Sequence, residues 1–307
     1  MGTGTSAGVS GAGARRIRDV PVSAIGLGAM PLSIERRPDE ARAFATVHAA
    51  LDAGVTLIDT ADSYHWHADE RGHNETLIAR ALAAYGGDTS AVLVATKGGR
   101  GRPGDGSWTV DGDPERLKRA CEESLRRLGG AAIGLYQLHK PDPRVPFAES
   151  VGALRELLDA GTIRMAGVSN VDADQIREAD AILGGRLASV QNEYSPAVRD
   201  SAAELRLCDE LGIAFLPWSP LGGISRSSLD GPPAPTTAAP TTPFAAFHEV
   251  ARDRGIGPQR IALAWLLAKS PVVVPIPGAS RPATIRDSAA ADGVTLTAAD
   301  LARLDAA

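Results

Sequence analysis

The chain has 307 residues, 44% of them hydrophobic and 22% charged, and a formal net charge of −5. That balance is the one of a globular protein with a sizeable core. It excludes a disordered chain, a bilayer-spanning one, whose helices need about 20 apolar residues each, and a basic binder of nucleic acid or anionic lipid.

Residues 1–14 are rich in glycine, serine, alanine and threonine and lack the basic and apolar regions of a secretory signal. A flexible tail is expected there, on a cytoplasmic protein whose remaining residues, 15–307, make one domain. Short aliphatic or β-branched runs bounded by turn residues then alternate with amphipathic stretches. Strands are expected at 25–30, 56–59, 92–97, 133–139, 165–169, 189–192, 214–219 and 272–277. Among the helices between them, 113–128 opens with Asp113-Pro114-Glu115: a cap, a proline in the first turn and an acid facing the positive helix end. The helix 146–160 stops at Gly161, suited to a left-handed cap. Cys121 and Cys208 fall in helical stretches without metal or redox spacing and are expected to be buried thiols.

Strands alternating with helices predict an α/β fold, a (β/α)8 TIM barrel, in which active sites sit at the carboxyl ends of the strands. One long segment, 225–243, is rich in proline, threonine and alanine; a lid over that end and plain disorder are both open readings. The glycines between 98 and 106 read as a loop, and no G-x-G-x-x-G fingerprint opens a helix.

Asp59, Tyr64, Lys97 and His139 stand at or just past the ends of predicted strands. Taken singly, an aspartate there caps a turn, a tyrosine packs and a lysine is solvated. Together they suit proton delivery to a carbonyl. A phenol has an ordinary pKa of about 10; a neighbouring ammonium favours its ionisation, a carboxylate holds the ammonium, and an imidazole hydrogen-bonds the carbonyl oxygen.

These residues lie in Asp59-Thr60-Ala61-Asp62-Ser63-Tyr64, Ala95-Thr96-Lys97 and Gln137-Leu138-His139-Lys140-Pro141-Asp142. With His73-Asn74-Glu75, Gly167-Val168-Ser169-Asn170, Val190-Gln191-Asn192-Glu193-Tyr194 and Ile276-Pro277-Gly278, the ordered set resembles the aldo-keto reductase family across nearly the whole chain. The resemblance implies a barrel that binds NADPH, in preference to NADH, without a Rossmann domain. It implies Tyr64 as general acid, Lys97 and Asp59 as its tuning pair and His139 as the residue that orients the carbonyl. Ser169, Asn170 and Gln191 are implied at the nicotinamide carboxamide, Trp218 on the nicotinamide ring, and Ser219, Leu221 and Gly222 at the pyrophosphate.

For the adenosine end the resemblance implies Gly278, Ser280, Arg281, Asp287 and Ser288, although relatives often carry Glu-Asn where Asp287-Ser288 stand. Trp66 and Trp108, in loops of the catalytic end, are candidate walls of a pocket for a small carbonyl substrate. His65, His67 and His73 match no metal-binding motif, and the family implies no metal. Neither nucleic acid nor membrane is expected as a partner, and a homo-oligomer is compatible with the sequence. Two other readings stay open: a regulatory protein that keeps barrel and cofactor with little turnover, and a lyase using Lys97 for a Schiff base.

Overall fold

The computed structural model describes residues 15–225 and 244–307. The expected tail, residues 1–14, and the 225–243 segment beyond Ser225 lie outside the described residues.

The chain enters through an antiparallel hairpin, β1 (Arg15–Ile17) and β2 (Val20–Val22), absent from the sequence-based expectation. The main sheet follows. β3 (Leu27–Gly28) leads to α1 (Glu40–Asp52), β4 (Leu57–Asp59), α2 (His73–Ala83) and β5 (Leu93–Gly98). A second small hairpin, β6 (Arg100–Gly101) and β7 (Thr109–Val110), interrupts the alternation where the glycines suggest a plain loop. The alternation then resumes with α3 (Pro114–Leu128), β8 (Leu135–Leu138), α4 (Phe147–Asp159), β9 (Ala166–Ser169), α5 (Ala173–Ile182), β10 (Leu187–Gln191), α6 (Ala202–Leu211) and β11 (Ala214–Phe215). Helices α7 (Ala245–Arg254), α8 (Pro258–Leu267), α9 (Pro282–Ala289) and α10 (Ala298–Asp305) complete the described chain. None of the helices among the described residues is long and apolar enough to cross a membrane.

The seven strands pair in parallel in the order β11-β10-β9-β8-β5-β4-β3. Residues 272–278 close the ring as the eighth strand, bridging Phe215 through Val273 and Gly28 through Gly278. Its ladder is incomplete for a chemical reason. Val274 and Ile276 donate to Phe215 and Pro217 on one side, at 2.9 and 3.3 Å, while Gly26 and Gly28 donate to the carbonyls of Pro275 and Pro277 on the other, at 2.9 and 3.0 Å. The two prolines have no N–H to return on that second side. The expected (β/α)8 barrel is therefore the fold, with one seam held by half the usual bonds.

The local signals explain the helices that frame it. Asp113 accepts from Arg116 N at 2.9 Å with Pro114 in the first turn of α3, a cap worth about 1 kcal/mol. Gly161, at φ 74°, ends the turn after α4, a conformation that favours glycine. Cys121 and Cys208 are both buried, and burial pushes each thiol up to about 12.

Side-chain alternation positions the site. Leu57, Leu93, Ala95 and Leu135 pack inside the barrel with Met165, Leu216, Val274 and Ile276, and Ile17 and Val22 of the first hairpin join them at the amino-terminal end. Two residues beyond Leu57, Ala95 and the inward Gln137 come Asp59, Lys97 and His139, so a period of two carries the same inward face from apolar to polar at the carboxyl ends.

Candidate active site

Lys97 is the hub of this end. Its Nζ donates to Asp59 Oδ2 at 2.6 Å, to the Thr60 carbonyl at 2.9 Å and to the Tyr64 hydroxyl at 2.9 Å, which uses all three ammonium protons. The lysine side chain is 0% exposed and that of Asp59 is 3% exposed, so the pair is fully desolvated and its Coulomb attraction little screened. The other carboxylate oxygen, Asp59 Oδ1, accepts from Gln191 Nε2 at 2.8 Å. Gln191 is thus tied to the Lys97 cluster, a link no local pattern announces.

The charges follow from these contacts. Burial opposes the Lys97 ammonium, but Asp59 and Tyr64 outweigh it and hold the pKa above the ordinary lysine value. For Tyr64, burial pushes the pKa up and Lys97 pulls it down; burial wins, so the phenol is raised from its ordinary value and not lowered as the lysine alone suggests. The hydroxyl oxygen accepts from Lys97, which leaves its own proton available to another acceptor. His139 is held well below the ordinary histidine value by burial, then by Lys97 and Arg100, and is a neutral imidazole at neutral pH. Its ring meets Tyr64 edge-on, 5.6 Å between centroids, and Ser63 Oγ lies 3.4 Å from its Nδ1.

The ends of β9, β10 and β11 continue the rim. Ser169 Oγ donates to the Gln191 carbonyl at 2.6 Å, and Asn170 Nδ2 donates to the His139 carbonyl at 2.9 Å. Asn170 and Ser219 both sit at positive φ, 59° and 47°, a conformation uncommon outside glycine and concentrated at functional sites. Trp218 is half-buried, and its Nε1 is buried without a partner. The turn after it spends the Gly222 N–H on the Ser219 carbonyl at 3.0 Å, and a Cβ at Gly222 would lie 2.7 Å from Ser195 Oγ. Leu221 is half-buried in the same turn.

At the end of the eighth strand, Gly278 abuts Pro31, where a Cβ would come within 2.9 Å. Ser280 is half-buried, and Arg281 is exposed as the N-cap of α9, so cationic side chain and helix N-terminus lie together. Asp287 is turned to Arg260 in an ion pair at 2.6 Å, and Ser288 is buried. These two are the least available of the expected contacts. The set as a whole fits an extended dinucleotide: an unpartnered indole N–H beside strained strand ends, a glycine-containing turn, then an exposed arginine.

Of the two expected pocket walls, only Trp108 joins the cluster, 6.4 Å from both the Tyr64 and His139 rings and edge-on. Trp66 instead stacks on His67 at 5.2 Å. Sequence reasoning misses Arg100 and Arg102, whose guanidinium carbons lie 4.5 and 4.4 Å from the Trp108 ring centroid. It also misses Asp62, which accepts from Arg71 at 2.6 Å while its other oxygen is buried without a partner; burial pushes this carboxyl up to about 6. The alternation Arg100-Gly101-Arg102 ahead of Trp108 is the one signal that could have raised the first of these.

The fold has known counterparts. The model of the aldo/keto reductase family matches residues 24–307. An uncharacterised oxidoreductase of Schizosaccharomyces pombe is 33% identical over 300 residues, covering 96% of this chain and 90% of the relative. The glycerol dehydrogenase of Gluconobacter oxydans superposes with a TM-score of 0.79 at 29% identity, covering 95% of this chain and 94% of its own. An aldo-keto reductase from Klebsiella pneumoniae, in complex with NADPH, superposes with a TM-score of 0.76 at 27% identity, covering 97% and 95%.

Proposed function

The chain belongs to the aldo-keto reductase family of oxidoreductases, and on that premise we propose that it reduces an aldehyde or ketone to the alcohol with NADPH, with Tyr64 as the proton donor. The reading is carried by one observation: Lys97 Nζ is hydrogen-bonded at once to Asp59 and to the Tyr64 hydroxyl in a fully buried cluster. NADPH, when bound, supplies the hydride. Everything else is work for the residues of this chain.

In this reading the neutral Tyr64 phenol donates its proton to the carbonyl oxygen as negative charge develops there, and Lys97 stabilises the phenolate that remains. Asp59 keeps Lys97 charged, and Gln191 fixes Asp59. The neutral His139 donates a second hydrogen bond to the same oxygen and so sets the face that is presented. Ser169, Asn170 and Trp218 would hold the nicotinamide, Ser219, Leu221 and Gly222 the pyrophosphate, and Ser280 with Arg281 the 2′-phosphate, since a guanidinium fork matches phosphate oxygens. In the reverse direction Tyr64, as the phenolate, would take the hydroxyl proton of an alcohol, with NADP+ as the hydride acceptor.

A Schiff base on Lys97 is opposed by the geometry. Its three donors are all engaged and its pKa is raised, so the free amine such a step requires is scarce. The test is Tyr64→Phe. Reduction of a neutral aldehyde, followed by the loss of nicotinamide absorbance, should fall by about 10²- to 10⁴-fold while NADPH still quenches tryptophan fluorescence. Turnover at the wild-type rate would remove Tyr64 from the role.

A further inference from the structure

The hairpin over the site presents two arginines that are held in opposite ways. Arg100 pairs with Val110 and Gly101 with Thr109, so Arg100 and Val110 share one face of the ribbon while Gly101 and Thr109 share the other. One step further along, the first face carries Arg102 and Trp108. That face meets the catalytic groups, because Trp108 stands edge-on to both Tyr64 and His139.

Arg102 is committed. Its guanidinium is paired with Glu35 and donates to the His65 carbonyl at 3.0 Å. Arg100 is not. It is half-buried, its Nε is buried without a partner, and among the described residues its side chain makes no hydrogen bond and no ion pair. Lys97 is balanced by Asp59 and Arg102 by Glu35, which leaves Arg100 as the uncompensated charge of this group. Its field reaches the reacting groups, since it adds to the lowering of the His139 pKa and offsets part of the rise at Tyr64.

A guanidinium drawn partly out of water without a counter-ion gains nothing for the fold beyond its stacking on an indole. It is well suited to an anion that arrives from solution, because its planar fork binds carboxylate or phosphate through paired, charge-assisted hydrogen bonds. The overall charge of −5 gives an anion no general attraction to this protein, so selectivity for one must be local.

We infer that Arg100 is a specificity-determining residue that binds an anionic group, carboxylate or phosphate, on the carbonyl substrate. The inference rests on the reductase reading and names the substrate class of that same site: short carbonyl compounds with a negative charge at the end remote from the reacting carbon.

The test uses matched substrates, 4-oxobutanoate against butanal and glyceraldehyde 3-phosphate against glyceraldehyde, with wild type, Arg100→Leu and Arg100→Lys. Both members of a pair use the same proton donor, so the ratio of their kcat/KM cancels any effect of Arg100 on Tyr64 and isolates recognition of the anion. Wild type should favour the charged member of at least one pair by about ten- to a hundredfold, the range of a charge-assisted hydrogen bond. Which pair shows it identifies the anion. Arg100→Leu should bring that ratio close to one, chiefly through KM, and Arg100→Lys should retain part of it.

Parity in both pairs for wild type, or a preference that survives Arg100→Leu, overturns the inference. If no carbonyl compound is reduced, the reductase reading fails instead, and calorimetric titration with succinate and with inorganic phosphate, with and without NADP+, still decides the anion site. Binding of either that is lost in Arg100→Leu supports it. No binding to wild type, or equal binding to the variant, overturns it.

Discussion

Lys97 and Arg100 lie three residues apart at the same end of the barrel, and the structure treats their charges oppositely. Lys97 is wholly buried with every donor engaged, by Asp59, the Thr60 carbonyl and Tyr64. Arg100 is half-buried and, among the described residues, has no hydrogen-bonding partner, only the Trp108 ring at 4.5 Å. A buried cation with its valences filled is fixed in place and acts on its neighbours' proton affinities. A cation left open keeps its valences for something else. The contrast separates two jobs that a catalytic site needs, setting the chemistry and choosing the substrate, and it makes their dependence on the fold measurable.

The largest break comes at the filled charge. Lys97→Met leaves Asp59 buried with Gln191 as its remaining side-chain partner, and stranding one member of a buried pair costs about 3–5 kcal/mol. The urea midpoint should fall accordingly. Reduction should fall too, because the phenolate of Tyr64 loses the ammonium beside it. Stability equal to wild type would mean that the Lys97–Asp59 pair contributes nothing net to the fold, and the contrast with Arg100 would lose its first term.

Asp62 is an intermediate case that sharpens the comparison. One oxygen has Arg71, half-exposed, and the other has nothing. Its carboxyl is pushed up from 3.8 to about 6, chiefly by burial. Between those values the folded state keeps the proton that the unfolded state has lost, so the contribution of Asp62 to stability declines as pH rises from about 4 to about 6, and the loss is complete above that. Asparagine carries no such proton. The stability of Asp62→Asn relative to wild type should therefore grow by about 2 kcal/mol between pH 4 and pH 7. Urea titrations of both proteins across that range check it, and a difference that stays flat with pH would show that Arg71 compensates the buried carboxylate in full.

The filled charge could be read from the sequence and the open one could not. Parallel barrel strands are buried on both faces and read as apolar runs, so the ends occupied by Asp59, Lys97 and His139 stand out, and chemical complementarity links them. The eighth strand is visible as 272–277 for the same reason, although its prolines leave one seam half bonded. Arg100 belongs to a hairpin whose strands are two residues each, too short for any periodicity to register, inside a stretch whose glycines suggest only a loop. The contact of Gln191 is also hidden, because a partner 132 positions away, as Asp59 is, is set by the curvature of the barrel and not by any local pattern. Asp287 shows the reverse: the motif position is recognisable in the sequence, but the pairing of its carboxylate with Arg260 of α8 is not.

The smallest expected effect is the one that tests the open charge as a matter of folding. Arg100→Leu removes a partly desolvated cation whose burial already holds its pKa below the ordinary arginine value. The stacking on Trp108 is lost, worth about 0.5–1 kcal/mol for a cation over an aromatic face. Against that stands relief from desolvating a charge without a counter-ion, and leucine keeps apolar contact with the indole. The two effects oppose each other, so the urea midpoint at pH 7 should stay within about 1 kcal/mol of wild type. A loss comparable to that of Lys97→Met would mean that Arg100 is held by the fold after all, and a residue held that firmly is not free to take the anion of a substrate.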